Sequence, residues 1–161
     1  MEDVINKVYS SPRLVRLLRA IDLFAVCFTA GVYGLFVVGF ALGTLYFLSL
    51  KLILVCLVPF VIVTLVRRFI NAPRPYEVYT GIPTPRAKKG SSFPSRHAFS
   101  AFAIGTALLF VAPPIGAIAL FLGVCLGACR VLLGIHFVRD VVCGGAIGVI
   151  SSVVGMLIVN F

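Results

Sequence analysis

The sequence predicts an all-α integral membrane protein, a bundle of about five transmembrane helices with its active site at one membrane face. Three observations predict it. The first is composition: 61% of the 161 residues are hydrophobic and only 12% are charged, with a mean hydropathy of +1.14. A soluble domain carries about a quarter charged residues, so this chain has too few to cover a water-facing globule. The second is run length: several apolar stretches approach the roughly 20 residues that cross a bilayer core. The third is placement. Every polar cluster falls at span ends that the alternation of spans brings to the same side.

Residues 1–161 read as a single membrane-embedded domain. The first span runs from about Asp22 to Leu48 and the second from Lys51 to Phe69. A polar loop follows, "NAPRPYEVYTGIPTPRAKKGSS", with four of the nine prolines and no helical periodicity. The third span starts near Pro94 and stops before Pro113 and Pro114. The fourth covers Ile115 to about Leu133, and the fifth Phe137 to Asn160. The apolar stretch Leu23 to Leu50 is far longer than the core of a signal peptide, which makes it a retained span.

The net charge is +9. Its basic residues gather at span ends rather than along an amphipathic face, so lipid headgroups or a phosphate ligand fit and nucleic acid does not. Leaving aside the site arginines, one face carries Lys7, Arg13, Arg16, Arg19, Arg68, Arg86, Lys88, Lys89 and Arg139, against Lys51 on the other. The excess of positive charge predicts that this face and the amino terminus lie in the cytoplasm, at the plasma membrane. The five cysteines all lie in apolar runs without metal-site or disulfide spacing, which reads as small buried hydrophobes.

Three separated pieces supply the chemistry. "RRFINAPRP" ends the second span with Arg67, Arg68 and Arg74. Ser95, Arg96 and His97 open the third. "CRVLLGIHFVRD" joins the fourth and fifth through Arg130, His136 and Asp140. Singly, each has a plain explanation, such as an arginine snorkelling to headgroups, which suits Arg68. Ionisable groups near a bilayer are costly, however, and these converge on one face. Guanidinium forks neutralise the equatorial oxygens of a phosphoryl group in transfer. A helix amino terminus at Pro94, with the proline in its first turn, adds unpaired N–H groups where Ser95 and Arg96 meet an anion. Hydrolysis without a metal needs a nucleophile and a proton donor. Asp140 stands one turn from His136 and makes it the nucleophile, which leaves His97 as the acid. Arg130 and His136 share no helix face at six residues apart, and Gly134 is the break that lets them converge.

These pieces resemble the type 2 phosphatidic acid phosphatase superfamily, the lipid phosphate phosphatases, which is related to bacterial acid phosphatases and vanadium haloperoxidases. The family pattern is K-x6-R-P, then P-S-G-H, then S-R-x5-H-x3-D. Here it reads Arg67-x6-Arg74-Pro75, then Pro94-Ser95-Arg96-His97, then Cys129-Arg130-x5-His136-x3-Asp140. The resemblance implies that Arg67, Arg74, Arg130 and Ser95 hold the phosphate. It implies His97 as acid, His136 as nucleophile, Asp140 as its orienting partner, and no metal or other cofactor. Arg67 stands for the usual lysine, Arg96 for a glycine and Cys129 for a serine. The expected activity is hydrolysis of a membrane lipid phosphate or pyrophosphate through a phosphohistidine. A polyprenyl pyrophosphate phosphatase is the narrower alternative, and a small anion transporter the alternative from another class.

Overall fold

A computed structural model describes residues 1–79, 82 and 89–159. Arg86, Lys88 and Asn160, which entered the sequence reading, lie outside the described residues. A short helix α1 (Glu2–Tyr9) leads into α2 (Pro12–Leu42). Ser11 caps α2, its hydroxyl accepting the Leu14 N–H at 3.5 Å, and Pro12 opens the first turn. The helix thus begins ten residues ahead of the Asp22 expected for the first span. Its early turns are amphipathic: Val15 and Leu18 pack with Val8, Cys129 and Leu133, while Arg13, Arg16 and Arg19 stay exposed. That apolar stripe lets the helix continue past the end of the apolar run.

The chain returns in α3 (Tyr46–Ile70), which ends where Asn71 takes a left-handed conformation (φ 44°). A single turn, α4 (Pro75–Val78), opens the following loop. Three further helices complete the bundle: α5 (Arg96–Leu109), α6 (Pro113–Leu132) and α7 (Val138–Ile158). Of these elements, α2, α3, α6 and α7 are long and apolar enough to cross a membrane. The third expected span, which becomes α5, is shorter than foreseen. Helix α5 has 14 residues, about 21 Å of rise against a hydrocarbon core of roughly 30 Å. Its position explains the tolerance, because α5 packs most extensively against α7 and α6 and also meets α3 and α2. Phe99, Ala103, Ala107 and Leu108 are buried in protein rather than lipid. Pro94 likewise lies outside the first turn where it was expected, one residue before the capping Ser95.

Small residues set how closely α5 and α7 approach. A Cβ at Gly144 would stand 2.4 Å from the Ser95 carbonyl oxygen, and one at Gly148 would stand 2.5 Å from that of Phe99. One more turn along α7, Ser152 donates to the Ala103 carbonyl at 2.9 Å. Gly144, Gly148 and Ser152 thus form a small-residue ridge at four-residue spacing, the arrangement that lets helix backbones touch where no hydrophobic effect drives them together. Gly116 does the same between α6 and the end of α5, where a Cβ would fall 2.4 Å from the Leu109 nitrogen. The bundle holds its helices by main-chain proximity, and this fixes the polar ends relative to one another.

Candidate active site

One face of the bundle holds a cavity of about 390 Å³ lined by Arg19, Arg67, Arg74, Arg96 and Arg130, by His97 and His136, and by Tyr9, Asp22 and Tyr76 among others. It draws on α1, both ends of the α3–α5 connection, the start of α2 and the turn between α6 and α7. Five of the side chains picked from sequence as phosphate-binding or catalytic therefore share a wall with Arg67: Arg74, Arg96, His97, Arg130 and His136. Ser95 and Asp140 do not line it. Ser95 is fully buried and its oxygen caps α5, accepting the Ala98 N–H at 3.4 Å. Asp140 is fully buried behind His136.

The arginines also brace the loop they border. Arg67 is buried and donates from Nη1 to the Pro94 carbonyl at 2.9 Å, and from Nη2 to the Ser91 carbonyl. Arg74 donates from Nε to the Gly90 carbonyl at 3.1 Å and from Nη1 to the Ile135 carbonyl at 3.5 Å. Glu77 completes the brace by accepting the Gly90 N–H at 2.6 Å. A guanidinium carries five donors in a fixed fork, so it can hold two carbonyls and still present N–H groups to an anion, which an ammonium cannot do with the same geometry. That gives Arg67 a structural reason to be arginine where the family pattern has lysine. Its neighbour Arg68 faces outward and is exposed.

The turn after α6 brings His136 back to Arg130. Gly134 adopts φ +65°, and the His136 N–H then bonds the Arg130 carbonyl at 3.2 Å. At the start of α7, Asp140 Oδ2 accepts the Phe137 N–H at 3.0 Å, and the Asp140 carbonyl accepts the Ser95 N–H at 2.9 Å. The aspartate thus ties the start of α7 to the start of α5. Burial holds His136 below the ordinary histidine pKa, against the opposing pull of Asp140. The uncharged imidazole is thereby favoured.

Tyr9, Arg19 and Tyr76 line the cavity without having been picked from sequence, and two polar partners of the picked residues were also missed. Asp22 meets Arg130 side-on, with 2.9 Å from Oδ1 to Nε and 3.0 Å from Oδ2 to Nη2. The signal for it was present, since Asp22 is an acidic residue at the edge of a long apolar run, where a charge marks function. Ser92 is the other. It is fully buried, 3.2 Å from His136 Nδ1 and 2.5 Å from Asp140 Oδ2. It sits in an aperiodic loop, where no hydrophobic pattern reveals which way a serine faces.

An all-helical membrane bundle whose polar end gathers paired histidines and guanidinium groups around one cavity defines a membrane phosphatase acting on lipid phosphate. The chain belongs to the PAP2 superfamily, whose sequence model matches residues 38–161. Two solved structures share the fold. LpxE from Aquifex aeolicus is 24% identical, with a TM-score of 0.74 over 91% of this chain and 87% of that one. The first transmembrane PAP2-type phosphatidylglycerolphosphate phosphatase from Bacillus subtilis is 21% identical, with a TM-score of 0.73 over 99% of this chain and 86% of that one. Among curated proteins, none matches the chain.

Proposed function

We propose that the chain hydrolyses a membrane lipid phosphate or pyrophosphate without a metal, by way of a phosphohistidine at His136. The observation that carries this reading is the shared cavity itself. His136 turns its Nδ1 side toward Ser92 and Asp140 and so leaves Nε2 for phosphorus. Arg67, Arg74, Arg96 and Arg130 surround the same space, and His97 stands in its wall. In the first step Nε2 attacks phosphorus while His97 gives its proton to the leaving oxygen. In the second, His97 takes a proton from water, which attacks the phosphohistidine and frees inorganic phosphate. Ser95, as the cap of α5, acts on the phosphate through the helix terminus it opens.

A phosphate-release assay on detergent-solubilised protein tests the reading. The panel is phosphatidic acid, phosphatidylglycerol phosphate, polyprenyl phosphate and pyrophosphate, and a phosphorylated glycolipid. Release from polyprenyl pyrophosphate alone selects the narrower polyprenyl enzyme. Absence of release from every member, with anion uptake into proteoliposomes, sinks the phosphatase reading in favour of a transporter. Turnover persists in excess chelator and is inhibited by vanadate, which mimics pentacoordinate phosphorus. A strict magnesium requirement contradicts the mechanism.

We further propose that the active face lies in the cytoplasm, on the strength of the basic residues it carries, among them Lys7, Arg13, Arg16, Arg68 and Lys89. Arg13 is exposed at the start of α2. An Arg13→Cys variant in intact cells resists a membrane-impermeant thiol reagent and reacts once the cells are permeabilised. Ready labelling of intact cells places the site outside.

A further inference from the structure

We infer that Ser92 is a positioning residue that relays between the histidine nucleophile and its aspartate, locking His136 in the tautomer with Nδ1 protonated. The inference rests on the phosphohistidine reading above and adds a residue to it. His136 Nδ1 and Asp140 Oδ2 are 3.6 Å apart, too far for a direct N–H···O hydrogen bond. Ser92 Oγ fills the interval, at 3.2 Å from the nitrogen and 2.5 Å from the carboxylate oxygen.

The direction of each bond follows from counting donors. A carboxylate can only accept, and a serine hydroxyl has one proton. At 2.5 Å from Oδ2 that proton belongs to the Asp140 bond, which leaves Ser92 Oγ only lone pairs to offer the imidazole. Nδ1 must then carry the donated hydrogen, and the free lone pair lies on Nε2. The loop that carries Ser92 is itself fixed: the Ser92 N–H bonds the Ala72 carbonyl at 2.9 Å, and the Ser91 N–H bonds Asn71 Oδ1 at 3.1 Å. His136 is 1% exposed and Ser92 and Asp140 are 0% exposed, so water does not compete for these bonds. When Nε2 binds phosphorus the ring becomes cationic. Its Nδ1 proton stays in place, and the charge is balanced through the serine dipole by the carboxylate. No proton leaves the ring along this path.

Two measurements test the relay. The chain has two histidines, so nitrogen NMR of ¹⁵N-histidine protein in detergent resolves both, with His97→Gln giving the assignment. Near neutral pH the wild type shows His136 with a protonated Nδ1 and a bare Nε2. The opposite tautomer overturns the proposal, and this reading does not depend on Ser92→Ala folding. In the second measurement Ser92→Ala lowers kcat about 10–100-fold, as loss of an orienting partner does, with KM and vanadate affinity unchanged. Ser92→Ala combined with Asp140→Asn is then no slower than the worse single variant, because both act on one path. Multiplying losses in the double variant, or a wild-type kcat in Ser92→Ala, overturns the relay. Absence of any trapped phosphohistidine in the wild type is a different result, and it removes the nucleophile assignment on which the relay stands.

Discussion

His136→Ala abolishes turnover on every substrate and eliminates the trapped phosphohistidine, whereas His97→Ala slows phosphohistidine formation in proportion to how poor the leaving group is. The asymmetry follows from where each imidazole acts in the proposed mechanism. His136 supplies the attacking atom, and removing a nucleophile costs on the order of 10⁴-fold or more whatever group departs. His97 serves the departing oxygen, and a lipid alkoxide needs that proton while p-nitrophenolate hardly does. His97→Ala therefore slows phosphohistidine formation about 10²–10⁴-fold from a lipid monophosphate, the usual worth of general acid catalysis, and far less from p-nitrophenyl phosphate, while the later attack of water, for which His97 is the base, slows alike for both. Paired single-turnover assays of both variants on both substrates, following release of the leaving group, decide the matter. Equal losses throughout, with no phosphohistidine at position 136, show the roles to be wrongly assigned.

Gly144→Ala has the second largest expected effect, although the glycine touches no substrate. The added methyl falls 2.4 Å from the Ser95 carbonyl and 3.2 Å from the Ser95 nitrogen, which are backbone atoms with no freedom to rotate away. Overpacking of this kind costs about 1–3 kcal/mol. Relieving it pushes the start of α5 from α7 and breaks the 2.9 Å bond from the Ser95 N–H to the Asp140 carbonyl. A misplacement near 1 Å is worth roughly 10²-fold in rate. Gly34→Ala is the matched control, since nothing lies within 4 Å of a Cβ there. Replacing a helical glycine at an open position is neutral or gains about 0.5–1 kcal/mol. Melting temperature and kcat for the two variants test the argument, and a Gly144→Ala protein as stable and active as Gly34→Ala refutes it.

Much of the architecture was legible because the bilayer demands it. Runs of apolar residues long enough to span announce α2, α3, α6 and α7 without reference to tertiary structure. Helix α5 was harder to bound, because shelter by neighbouring helices rather than length decides where it ends. The early turns of α2 were missed because their burial depends on Val8 and Leu133, residues far apart in sequence. The cavity follows the same division. Arg67, Arg74, Arg96, His97, Arg130 and His136 were picked from three short pieces whose spacing carries chemistry. Asp22 meets Arg130 across 108 positions, and Ser92 meets Asp140 across 48. Pairings so distant leave no periodic trace, and Ser92 is chosen by the path of a braced loop rather than by local pattern.

The side-on contact between Asp22 and Arg130 has a consequence for how the protein is organised. Tyr9, Arg19 and Asp22 belong to α1 and the first turns of α2, upstream of residues 38–161 that carry the superfamily match. The groups proposed to meet phosphorus lie within residues 38–161, and part of the cavity wall lies ahead of them. The amino-terminal part of the cavity wall is held to the end of α6 and the turn after it by this salt bridge, by the Tyr9 hydroxyl donating to the Leu133 carbonyl at 3.2 Å, and by the apolar seam of Val8, Val15, Leu18, Cys129 and Leu133. Substitutions in α1 and the first turns of α2 therefore reach the cavity wall while leaving the α5–α7 backbone contacts at Gly144 and Gly148 in place.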